Sequence, residues 1–202
     1  MKDEKDIFRT LGGLSQGLYK EKGSRFIAMA IPVETIEDVK IQLEKIRKEF
    51  HDARHHCYAY RIGDEPFEFR SSDDGEPSGT AGKPIFGQIQ SFELTDILII
   101  VIRYFGGIKL GTGGLIQAYR SAARDAIENG SIVDKIRTVR VEIRFNYQQM
   151  NDVMKVIKDE NLRILKQEAT ENYFILLEIR KGALNNIRNK FSSLEISVAP
   201  VI

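Results

Sequence analysis

The sequence predicts an α+β protein of two domains. Three observations predict it. Thr95 to Tyr104 is apolar on both faces and lies between helical-period segments, as a sheet-centre strand would. The pattern changes after Gly130, where Val139, Val141, Ile143 and Phe145 begin to alternate with Arg140, Glu142 and Arg144. The last about 70 residues, enough for a small domain, then read β-α-β-β-α-β, the ferredoxin-like arrangement. The expected domains are residues 1–133 and 134–202.

Each element has a local reason. After a polar lead, the run through Val33 reads as a strand stopping near Pro32. Thr35 and Asp38 form a capping box. Ile36, Val39, Leu43, Ile46 and Phe50 follow on one helical face. His55 to Arg61 and Pro66 to Ser72 read as strands. Asp73 to Thr80 is punctuated as a loop, and Ser78 or Thr80 is the expected cap of a helix through about Phe92. Leu115 to Asn129 predicts a helix stopped by Gly130. In the second domain Met150, Val153, Met154 and Ile157 mark a helix. Strands follow at Arg163–Ala169 and Tyr173–Ile179, a helix carries Leu184, Ile187 and Phe191, and Leu194, Ile196 and Val198 form a last strand.

Composition excludes several functions. The 202 residues carry a net charge of +1, so no broad basic or acidic surface is expected. Cys57 is the one cysteine, which excludes an internal disulfide and a thiolate-rich zinc site. The charged start lacks an apolar signal segment. The longest apolar run is Ile97 to Ile102, against about 20 residues for a membrane span. A cytoplasmic protein without membrane contact is expected. Its oligomeric state is open, with a monomer favoured.

Charge is locally uneven. Residues 64–76 hold six acids against Arg70, while residues 97–124 hold Arg103, Lys109, Arg120 and Arg124 and no acid. Within that basic stretch lie Gly106, Gly107, Gly111, Gly113 and Gly114. A glycine turn leading into a helix offers free N–H groups and a positive dipole end to an anion. The structural alternative is tight turns and close packing. Thr112 stands where a P-loop needs Lys, and the dinucleotide fingerprint lacks its third glycine, so no cofactor is expected.

Two further stretches carry candidate chemistry. Asp73, Asp74 and Glu76 can hold Mg²⁺ beside a phosphate, or can simply shape a solvated turn. No metal is expected. His51, Asp52, His55, His56 and Cys57 are crowded together. His51, Asp52 and Cys57 can complete a metal or nucleophile site. Alternation, however, sends His55 and His56 opposite ways and Cys is among the most buried residue types, so packing and hydrogen-bonding roles are expected.

His51-Asp-Ala-Arg-His-His-Cys57, Asp73-Asp-Gly-Glu-Pro-Ser-Gly-Thr-Ala-Gly-Lys-Pro84 and Arg103-Tyr-Phe-Gly-Gly-Ile-Lys-Leu-Gly-Thr-Gly-Gly-Leu115 together resemble the YigZ/IMPACT family, as does Lys22-Gly-Ser-Arg-Phe-Ile27. One departure is Gln117, where a basic residue often precedes the Ala-Tyr pair. The resemblance implies a first domain like the α/β sandwich of elongation factor G domain IV and a second like its ferredoxin-like domain V. It also implies translational control. The eukaryotic relatives bind the activator of a starvation-responsive kinase, a pathway confined to eukaryotes.

The leading expectation is a non-enzymatic binding protein of the translation apparatus, meeting RNA or a ribosome-associated partner. Arg103, Gly106, Gly107, Lys109, Gly111, Thr112, Gly113, Gly114 and Arg120 would lie on phosphates, with Tyr104, Phe105 or Tyr119 stacking if outward-facing. The alternative is a metal-dependent phosphate- or nucleotide-handling enzyme, with Asp73, Asp74 and Glu76 as site acids and His51 or His55 moving a proton.

Overall fold

The computed structural model describes residues 6–169 and 173–201; most of the charged start lies outside them. The chain divides into two compact units, Arg9–Asp134 and Lys135–Ile202, the second taking in Met1–Phe8. Sequence reasoning gave the first domain everything from residue 1. Asp6 accounts for the difference: its carboxylate accepts the Gly182 N–H at 2.9 and 3.0 Å and its carbonyl accepts the Arg137 N–H at 2.7 Å.

In chain order the elements are β1 (Ile7–Leu11), β2 (Ser15–Glu21), β3 (Ser24–Pro32), α1 (Ile36–Glu49), β4 (His55–Ile62), β5 (Glu68–Ser72), α2 (Gly82–Ser91), β6 (Ile97–Tyr104) and α3 (Gly111–Glu128). β7 (Ile132–Ile136) pairs with β1. The second unit continues with β8 (Thr138–Phe145), α4 (Met150–Asp159), β9 (Arg163–Ala169), β10 (Tyr173–Arg180), α5 (Leu184–Ser192) and β11 (Val198–Pro200).

The first unit is a five-stranded antiparallel sheet in the order β2-β3-β6-β4-β5 with helices on both faces. β6 lies at its centre, as its apolar run requires. Ile97, Ile99 and Val101 face α2 and α3, while Leu98, Ile100 and Ile102 face the core that Val39 and Ile46 of α1 close. All six are fully buried, each contributing roughly 1.5–3 kcal/mol of transfer free energy. α1 begins as predicted: the Asp38 N–H donates to Thr35 Oγ1 at 3.1 Å and the Thr35 N–H to Asp38 Oδ2 at 2.9 Å.

Sequence reasoning missed β1, β2 and β7. β2 lacks an apolar period because its inward positions include Ser15 and Gly17. A Cβ on Gly17 would stand 2.3 Å from the Ala126 backbone nitrogen, so α3 packs directly on the strand's backbone. α3 also starts four residues earlier than expected, which places Gly111 to Gly114 inside its first turn.

The second unit is an antiparallel sheet in the order β11-β8-β10-β9, covered by α4 and α5, the ferredoxin-like arrangement. Val141, Ile143, Ile175 and Leu177 meet Val153, Ile187 and Phe191 in its core. The last strand is Val198–Pro200; Leu194 and Ile196 precede it and pack into that core instead.

Candidate anion site

The acidic loop lies against the glycine-rich turn, a proximity that chain order alone does not give. Each carboxylate of the loop has a partner. Asp73 accepts the N–H groups of Gly79 (2.8 Å), Ala81 (3.0 Å) and Gly82 (2.8 Å), so it, rather than Ser78 or Thr80, caps α2. Ala81 at the N-cap supplies no side-chain bond, and Thr80 Oγ1 donates to the Pro77 carbonyl. Burial pushes the Asp73 carboxyl up, but those three donors and the Lys83 charge outweigh it and hold it below the ordinary value. Asp74 accepts the His56 N–H at 2.7 Å and pairs with Arg47 at 3.1 Å.

Glu76 reaches inward. Its Oε1 accepts from Arg103 Nη1 at 2.6 Å and from the Tyr119 hydroxyl at 2.8 Å. Cys57 Sγ lies 3.3 Å from that hydroxyl and 2.9 Å from the Asp73 carbonyl. Cys57, Tyr119, Glu76 and Arg103 therefore form a buried polar chain across the sheet and α3. Burial pushes the Cys57 thiol up to about 12, so it is protonated at neutral pH and is no nucleophile. Cys57 should resist iodoacetamide at pH 8 in the native protein and react fully in urea, read by mass spectrometry. Labelling at a free-thiol rate in the native protein would contradict this.

The histidines divide as alternation predicted. His56 is buried and its Nε2–H donates to the Phe50 carbonyl at 3.1 Å; burial lowers its pKa and keeps the ring neutral. His55 Nδ1 is 2.8 Å from the Asp74 carbonyl, an acceptor only, so Nδ1 donates to it. His51 is exposed in the turn after α1.

Arg103 was expected on phosphates at the surface. It is 7% exposed and paired with Glu76, because it shares the inward parity of Ile97, Ile99 and Val101 on β6. Gly106 serves packing: a Cβ there would lie 2.0 Å from the Gly23 carbonyl carbon. Tyr119 is buried edge-on to Phe26, and Tyr104 donates to Asp52 at 2.7 Å. Phe105 is the outward-facing aromatic of the three, at 54% exposed. Gly107, Lys109, Gly111, Thr112 and Gly113 are exposed; Gly114 is half-buried.

The remaining candidates fall in two places. Lys109, Gly111 and Thr112 rim a cavity of about 480 Å³ that also meets His55, Glu76 and Arg103. Arg120 lies elsewhere, in a groove of about 700 Å³ between α2 and α3 with Lys83, Gln117 and Arg124. Sequence reasoning overlooked Lys83; its place on the first turn of α2 was the available signal. Among the described residues, Asp73, Asp74 and Glu76 belong to no group of three or more His, Cys, Asp or Glu suited to a metal.

The Impact N-terminal domain family model matches residues 22–127. An IMPACT family member of Haemophilus influenzae is 36% identical over 165 residues, covering 81% of this chain and 80% of the relative. The IMPACT family member YigZ of Escherichia coli is 35% identical over 160 residues, 78% of each chain. A solved structure of a hypothetical protein superposes with a TM-score of 0.70 at 26% identity, covering 98% of both chains. On the motifs, the matched model and these relatives, the chain belongs to the IMPACT family.

Proposed function

We propose that the protein is a non-enzymatic regulator that binds the translation apparatus, contacting ribosomal RNA through the first unit. The observation that carries this is the groove between α2 and α3. Lys83, Arg120 and Arg124 line it with Gln88 and Gln117, and no carboxylate does. Lys109, Gly111 and Gly113 are also exposed, at the N-terminal end of α3. Cations on such a surface bind phosphates by releasing counterions, and the outward Phe105 offers a stacking face. Family membership supports the connection to translation. The partners that Asp73, Asp74 and Glu76 have in the loop, Arg47 and Arg103 favour this reading over a metal-dependent one.

Co-sedimentation with ribosomal particles across a salt series tests the reading. The protein should travel with a subunit at low salt and leave it as salt rises. Lys109→Ala with Arg120→Ala should weaken retention and lower the salt slope by about one for each phosphate no longer neutralised. A protein that stays at the top of every gradient, or an unchanged slope in the double variant, counts against it.

A further inference from the structure

The cavity beside the glycine-rich turn differs in kind from the groove. Its floor is Arg103, 7% exposed, and Nη1 is its one hydrogen-bonded nitrogen among the described residues. Nε is buried without a hydrogen-bond partner among them. That nitrogen is out of solvent's reach, so the cavity meets Arg103 through its other atoms. The N-terminus of α3, an 18-residue helix, opens on the same cavity at Gly111 and Thr112. Its N-cap, Leu110, makes no side-chain bond and its first turn holds no acid. The first N–H groups of the helix therefore lack a side-chain cap, and the dipole end is uncompensated.

The walls are apolar. Pro77, Phe105, Leu110 and Leu115 line the cavity, while Arg54 and Lys109 place positive charge at its rim. The carboxylate it contains, Glu76, already accepts from Arg103 and Tyr119. A metal cation would find Arg54 and Lys109 at the mouth and, inside, a carboxylate already paired with Arg103. A bare phosphate would use the helix end and leave the walls wet. The volume of about 480 Å³ is that of a small-molecule site.

We propose that this cavity binds a small amphipathic organic anion, a single carboxylate or phosphate on an apolar body. The headgroup meets the α3 N-terminus, with Arg103 on the cavity lining beside it. The body lies against Phe105, Leu115 and Pro77. This site goes beyond the ribosome reading and does not depend on it.

Phenyl phosphate, benzoate and inorganic phosphate are titrated into the full-length protein while its amide resonances are followed. At least one of the two aromatic anions should shift the Gly111 to Leu115 amides saturably. Inorganic phosphate should bind roughly tenfold or more weakly, since it buries no apolar surface. The tighter of the two aromatic anions identifies the preferred headgroup. Arg103 variants risk misfolding, so the test variant is Thr112→Glu, which sets a negative charge at an exposed position of the helix end. It should keep the wild-type circular dichroism and lose at least about tenfold in affinity. Four results would overturn the proposal: no saturable shift with either aromatic anion at about 10 mM, shifts confined to other residues, inorganic phosphate binding equally well, or unchanged affinity in Thr112→Glu.

Discussion

Glu76→Ala should cost roughly 3–5 kcal/mol of unfolding free energy, because it leaves a buried guanidinium without its counter-charge. Both side chains are almost wholly out of water, at 4% exposure for Glu76 and 8% for Arg103. The same substitution strips the acceptor from the Tyr119 hydroxyl. A surface pair would give about 1 kcal/mol or less. The decisive comparison is Glu76→Gln with Arg103→Met. Glutamine still accepts from Tyr119, and methionine fills the space against Phe26 without a charge. The pair should recover most of the lost stability. Urea denaturation followed by far-UV circular dichroism measures it. A double variant no more stable than Glu76→Ala would show that burial of the lone charge is not the cause.

Asp73→Ala should cost roughly 2–4 kcal/mol, more than an ordinary cap, since one carboxylate accepts from three amide donors at once. The loss should have a pH signature. The folded carboxyl is held below its unfolded value, so its stabilisation is fully present above about pH 4 and fades as pH falls through the lowered folded pKa. Wild type and variant should therefore converge in acid and differ most near neutrality. Parallel stability curves from pH 7 down to pH 2 would remove the carboxylate charge from the explanation.

What the sequence revealed was local. The Thr35–Asp38 box, the Ile97–Ile102 run and the alternation at Val139–Phe145 each encode their geometry within a few residues, and each appears as read. The site was less legible because its chemistry is non-local. Asp73 caps a helix eight and nine residues away, and Glu76 meets Arg103 and Tyr119 across 27 and 43 residues. An acid-rich loop that binds metal and one that ties itself to helix and strand have the same composition. Strand parity was the overlooked signal for Arg103, which follows Ile97, Ile99 and Val101 on one face. β2 stayed hidden because glycine and serine against a helix backbone leave no hydrophobic period.

For the proposed RNA contact, the inward pairing of Glu76 with Arg103 also bears on how a polyanion is first attracted. Charges that cancel at 2.6 Å project almost no field beyond the first shell of solvent. Arg103 therefore adds little to the potential an incoming phosphate chain senses, and Arg47 is muted by Asp74 in the same way. Steering falls to Lys83, Lys109 and Arg120 at the surface. On that proposal, a protein with almost no net charge captures RNA quickly in dilute salt, while near physiological ionic strength the approach slows towards unguided diffusion.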